Sequence, residues 1–186
     1  MNPNLKIILL LGILAEGLIV LLAFLSSSSV AELFKLAARY SGRLSLVIFL
    51  LCFFIFAFHL KHLHNSELLK KALTLFAVLH VIHFGFLATN IYLNALPIEV
   101  ERLVGGVLAY LMIIIAPFKF ETIKFSLKLV YFYYVSFVML MTYIARINGG
   151  FEGAEPFWFH YVAIGLIVGS TLFLSGIIFK SKQQRL

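Results

Sequence analysis

The 186-residue chain is 62% hydrophobic and 12% charged, with a mean hydropathy of +1.04 and a formal net charge of +7. A soluble domain of this size would leave much of that apolar surface in water, so the composition implies a polytopic integral membrane protein. Twenty Phe against eight acids excludes a disordered or acidic-tail protein, and the single Cys52 excludes a disulfide framework and a Cys-held zinc or iron–sulfur site within one chain.

A hydrocarbon core of ~30 Å needs about 20 apolar residues per helix. Six stretches approach that length: Ile7–Leu25, Leu44–Leu60, Ala72–Leu93, Leu103–Pro117, Leu127–Ala145 and Trp158–Phe179. The fourth is the shortest. The period of two that marks barrel strands is absent. The fold expected is therefore all-α, a single domain over residues 1–186 built as a six-span transmembrane bundle. The first stretch follows Lys6 as a signal peptide would. It is longer than a signal core and lacks an A-x-A cleavage pattern, so a retained helix is expected. Between the first two spans, a Ser run leads into Val30–Tyr40. There the spacing of Leu33, Phe34, Leu36 and Ala37 predicts an interfacial amphipathic helix. Asn148–Gly149–Gly150, Gly153 and Pro156 predict a turn-rich loop before the last span.

Six spans put both termini on one side. Lys6, Lys61, Lys70, Lys71, Lys119, Lys124, Lys128, Lys180, Lys182 and Arg185 share that side, against Lys35, Arg39, Arg43, Arg102 and Arg146 on the other. The bias predicts cytoplasmic termini in a multi-pass protein of the cell (plasma or inner) membrane. Glu32, Glu99, Glu101, Glu152 and Glu155 fall on the opposite side. The positive charge reflects orientation and contact with membrane lipids, and no nucleic-acid partner is expected.

Ionisable groups inside the bilayer are the most informative positions, because burial there is costly. Glu16 lies at the midpoint of the first span, too deep to snorkel out. It is either a proton or ion carrier or a protonated acid hydrogen-bonded within the bundle. An inward-facing Glu16 calls for a partner at similar depth, with His80 or His83 the first candidates and Tyr110 or Tyr134 next. His80 and His83, three residues apart, share one face near the middle of the third span. They suit a haem iron or a metal, or two packed neutral imidazoles. His59, His62 and His64 cluster at the end of the second span. A short His tract can hold a metal, though a helix end beside Lys61 also suits an interfacial role. His160 stands between Trp158 and Tyr161 in what reads as an aromatic belt. In the fifth span, Met139 and Met141 offer thioethers as axial ligands or as gap-fillers, and the Tyr131–Tyr134 run suits a flat ring cavity or simple packing. No G-x-G-x-x-G, P-loop, H-E-x-x-H or G-x-S-x-G occurs. Without room for a flavin or nicotinamide domain, electron transfer would need a redox partner chain.

Four segments carry a family resemblance. Arg39–Tyr40–Ser41–Gly42–Arg43, within Ala37–Leu46, looks like the Arg-x-x-Gly-Arg opening of the second helix in ferric reductase-like transmembrane domains. Lys70–Lys71 followed by Leu79–His80–Val81–Ile82–His83 is similar to that superfamily's basic pair and mid-helix His. Leu103–Val104–Gly105–Gly106–Val107–Leu108–Ala109–Tyr110 resembles a Gly-Gly-x-x-Ala-Tyr stretch of small bacterial members. Leu129–Val130–Tyr131, with Tyr134, Phe137, Tyr143 and Arg146, resembles their fifth helix. The likeness runs from about Ala37 to Arg146, and the order of the motifs is more specific than any one of them.

Members of that superfamily, among them ferric reductases, NADPH oxidases and the haem subunit serving methionine sulfoxide repair, ligate haem through paired histidines on the third and fifth helices. His80 matches the third-helix ligand, with His83 an added neighbour. The remaining ligand positions fall near Leu93, Leu127 and Leu140, none of them His; Leu140 lies between Met139 and Met141. The resemblance thus implies one b-type haem or none, not two stacked bis-His haems. Two functions follow as expectations. One is a single-haem electron-transfer subunit using His80 or His83, completed by Met139, Met141, a Tyr or an open position. The other is a haem-free bundle that serves in binding or assembly, or conducts a proton or metal through Glu16 and the His pair.

Overall fold

The computed structural model describes residues 3–62, 66–98, 100–150 and 156–183. They form six helices: α1 (Pro3–Leu25), α2 (Val30–His62), α3 (Ser66–Leu93), α4 (Val100–Lys119), α5 (Phe125–Ile147) and α6 (Trp158–Gln183). Five are long and apolar enough to cross a membrane, and α4 contributes a shorter apolar stretch, Leu103–Lys119. Leu, Ile, Val and Phe cover the outer faces of all six, exposed where lipid would lie. The protein is a polytopic transmembrane helix bundle.

The helices run past the apolar windows that mark them. The largest difference is in α2, where the expected interfacial segment Val30–Tyr40 and the following span are one continuous helix. At 33 residues it reaches about 50 Å, well beyond a ~30 Å hydrocarbon core. Its start is capped locally: Ser29 Oγ accepts the Glu32 N–H at 3.2 Å, and the Glu32 carboxylate accepts the Ser28 N–H at 2.7 Å. Leu33, Phe34 and Ala37 turn onto the bundle instead of a membrane surface, with the Phe34 ring 6.4 Å from Phe86 of α3. Asn94, at the end of α3, donates to Ala31 O at 3.2 Å and to Asn90 Oδ1 at 3.0 Å, tying the two helix ends together.

Successive helices run antiparallel, which brings both chain ends to one end of the bundle. Helix α2 is central, touching α1, α3 and α6; α3 continues to α4, α4 to α5, and α5 returns to α6. In α2 50% of the apolar window is buried, against 17% in α1, which lies on the outside against α2 and α3. What α1 buries is a narrow stripe, Gly12, Glu16 and Ala23. A Cβ on Gly12 would fall 2.6 Å from Leu75 Cδ1, so the glycine sets how closely α1 approaches α3.

The core is aromatic and lies toward the end of the bundle that holds the termini. Phe49, Phe53 and Phe56 of α2 meet Phe76 of α3, Phe120 just after α4, and Phe132 of α5. Phe132 is fully buried and lies 4.6 Å from Phe56, 5.3 Å from Phe53 and 5.8 Å from Phe120, ring centre to ring centre. Phe132→Ala should therefore lower the unfolding midpoint in detergent by the equivalent of about 3–5 kcal/mol. Leu10→Ala, on the lipid face of α1, should change stability by no more than about 0.5 kcal/mol. Equal losses in the two variants would show that the aromatic cluster does not hold the bundle.

Candidate functional site

One face of α2 organises the interior. Ala38, Ser41, Ser45, Leu46, Phe49, Cys52, Phe53, Phe56 and Ala57 recur at helical spacing and are all buried. The stripe changes character along its length, small and hydroxylated up to Ser45, then aromatic. The polar side chains of the neighbouring helices converge on the first part.

Glu16 of α1 is 3% exposed and accepts a hydrogen bond from Ser41 Oγ at 2.8 Å; its second oxygen, Oε2, is buried without a partner among the described residues. The carboxyl thus faces the bundle, and its partner is Ser41, not His80, His83, Tyr110 or Tyr134. Two of those are engaged elsewhere. His80 Nδ1 lies 2.5 Å from Ser45 Oγ, one turn along α2, and Tyr134 donates to Gly105 O at 3.1 Å. His80 stacks on Tyr110 with ring centres 4.5 Å apart, and the His83 ring centre is 5.6 Å away. His83 packs over Gly42, where a Cβ would come within 3.0 Å of its Cε1. Its Nδ1 is a second buried atom without a partner among the described residues. Ser41 and Gly42, adjacent on α2, therefore receive the carboxyl from one side and an imidazole from the other.

This arrangement bears on a haem. A ligating histidine ordinarily has its other ring nitrogen fixed by a hydrogen bond. Ser45 Oγ holds His80 Nδ1 in this way; in the tautomer whose Nδ1–H donates to Ser45, Nε2 would be the nitrogen open to an iron, and His80 would be the residue to hold it. A sulfur atom as the other ligand is harder to supply: Met141 is 47% exposed on the outer face of α5, and Met139 packs where Leu46 and Ile167 meet the aromatic core. Among the described residues no three His, Cys or acidic side chains converge to hold a metal ion. The side chains of His59 and His62, and all of His64, lie outside the described residues.

Composition alone does not reveal a further grouping at the end of the bundle opposite the termini. Arg39 and Arg43 of α2, Arg146 of α5 and His160 of α6 lie within electrostatic reach of one another, with Tyr143 beside Arg43 and Arg146. Arg43 lies over three rings, its guanidinium carbon 5.4 Å from the centre of Tyr40, 5.0 Å from that of Phe157 and 4.9 Å from that of Phe159. The aromatic belt reading of His160 is refined accordingly: the residue is 5% exposed, and its Nδ1 accepts the Phe157 N–H at 3.3 Å. Arg146 also lies within electrostatic reach of His83, so this cluster and the histidine pair adjoin.

The Ser41 contact predicts distinct outcomes at Glu16. Glu16→Gln keeps an acceptor for Ser41 and should fold with an unfolding midpoint near that of the parent. Glu16→Leu leaves the Ser41 hydroxyl unpaired and should cost about 1–3 kcal/mol in the same measurement. Identical midpoints for Gln and Leu would mean that the buried carboxyl contributes nothing to α1 docking.

No protein-family model, curated protein or solved structure matches this chain.

Proposed function

We propose that the chain is the membrane subunit of a redox system, built as a ferric reductase-like bundle that binds one b-type haem through His80, with His83 as the alternative ligand. The observation that carries this reading is the Ser45–His80 contact, which orients the imidazole and, with Nδ1–H donating to Ser45 Oγ, would leave Nε2 for the metal. The haem would supply reversible one-electron storage. The chain's residues would orient the ligand through Ser45, cover its ring with Tyr110 and exclude water with the aromatic core. Flavin or nicotinamide chemistry would come from a partner chain.

A second reading rests on Glu16. An intramembrane carboxyl with one oxygen on Ser41 and the other unpartnered among the described residues is the expected form of a group that takes up and releases a proton or cation. In a haem-free protein, Glu16 and the His pair would then be the working site. Orientation follows the basic-residue bias under either reading, with the termini cytoplasmic in the plasma or inner membrane. A reporter fused after Leu186 should be active on the cytoplasmic side, and activity only on the far side would reverse the orientation.

The two readings separate in the absorption spectrum of protein purified from cells supplied with haem. A Soret band that is lost in the His80→Ala/His83→Ala double variant, and weakened in Ser45→Ala, is expected. A colourless protein would overturn the haem reading and leave the Glu16 site as the function to pursue.

A further inference from the structure

The arginine cluster is not used by either reading. Its members come from three helices, α2, α5 and α6, and everything they present is a donor. Guanidinium groups have no acceptor. His160 Nδ1 accepts the Phe157 N–H, so its own proton sits on Nε2 and that nitrogen donates. Tyr40, Phe157 and Phe159 pack around the Arg43 guanidinium, whose N–H groups are donors that such rings attract without accepting the full set of hydrogen bonds. Like charges gathered beside apolar rings repel one another, and an anion among them relieves that cost.

We propose that Arg39, Arg43, Arg146 and His160 form an anion site that takes a phosphate-bearing ligand. Phosphate suits the donor set better than one carboxylate, because its oxygens accept from several guanidinium forks at once. The depth is right for a headgroup: Trp158 and Tyr161, at the start of α6, are 64% and 57% exposed, as interfacial aromatics are. A lipid phosphate and a free phosphate present the same chemistry here. The site goes beyond the redox reading and does not require it.

Trp158 is the chain's single tryptophan, with its ring 5.4 Å from Phe157 and 6.0 Å from Phe159, so its fluorescence reports on the site directly. The protein is held in dodecyl maltoside, which carries no phosphate. It is titrated with sodium phosphate at constant ionic strength and, in a parallel series, with phosphatidylglycerol added as mixed micelles. A saturable change in Trp158 emission is expected in at least one series. A phosphate response assigns a soluble ligand, and a response confined to phosphatidylglycerol assigns a lipid headgroup. Arg43→Gln and Arg146→Gln should each raise the half-saturation point roughly tenfold. Arg43→Lys, which keeps the charge but loses the fork, should fall between. If Arg43→Gln does not fold by circular dichroism, Arg39→Gln carries the same test. The proposal is overturned if neither series saturates, or if the variants respond as the parent does. It is overturned equally if binding emerges only in Glu152→Gln/Glu155→Gln, because the loop's own carboxylates would then be the partners.

Discussion

Phe132 is the contact on which the rest of the bundle depends. In lipid, helices gain little from burying apolar surface against one another, since acyl chains are as apolar as Leu. What remains is close packing and polar contact. Phe132 supplies the first, fully buried among Phe49, Phe53 and Phe56 of α2 and against Phe120. Through it α5 meets the central helix, and α2 is thereby enclosed by α3, α5 and α6. Helix α1 has no part in this cluster and docks by other means, the glycine at 12 and the Glu16–Ser41 hydrogen bond.

The aromatic cluster also decides where polarity is allowed. Large rings fill the half of the bundle nearer the termini, where the buried Tyr131 hydroxyl is an exception, and most other buried polar side chains collect in the other half, where the α2 stripe is Ala, Ser and Gly. Glu16, His80, His83 and the arginines all lie toward that half. This polar row ends, on the side of the termini, at the phenylalanine cluster.

The helical architecture was legible because an apolar run of bilayer length can satisfy its own backbone in lipid only by coiling into a helix. The extent of α2 was not. Arg39 and Arg43 interrupt its hydropathy, which makes Val30–Tyr40 read as a separate interfacial piece, whereas the folded helix accommodates both, with Arg43 lying over Tyr40, Phe157 and Phe159. The inward direction of Glu16 followed from its depth, but its partner did not. Histidines attract attention as partners, yet Ser41 and Ser45 stand one turn apart on the same stripe as Phe49 and Phe53, a periodicity visible in the sequence. The arginine cluster joins residues from 39 to 160 and depends on how α2, α5 and α6 meet, which no local pattern encodes. Met139 and Met141 differ for a simpler reason: two residues apart on a helix they face different directions, so both could not point at the same centre.

Ser41 and Gly42 show why the polar row can exist at all. Burying a carboxyl and two imidazoles between helices requires that the backbones come close enough for short hydroxyls to reach them. Residue 42 has no side chain, so His83 can lie directly over α2, and α3 settles at a distance where Ser45, one turn further, reaches His80. A larger residue at 42 would press on His83 and move α3 outward. The Ser45–His80 bond would lengthen with it, although neither residue had changed. On the other flank Ser41 holds Glu16, so the positions of α1 and α3 are both set by adjacent residues of one helix turn. The carboxyl and the histidine pair are therefore linked mechanically through α2, even though the partner of Glu16 is a serine.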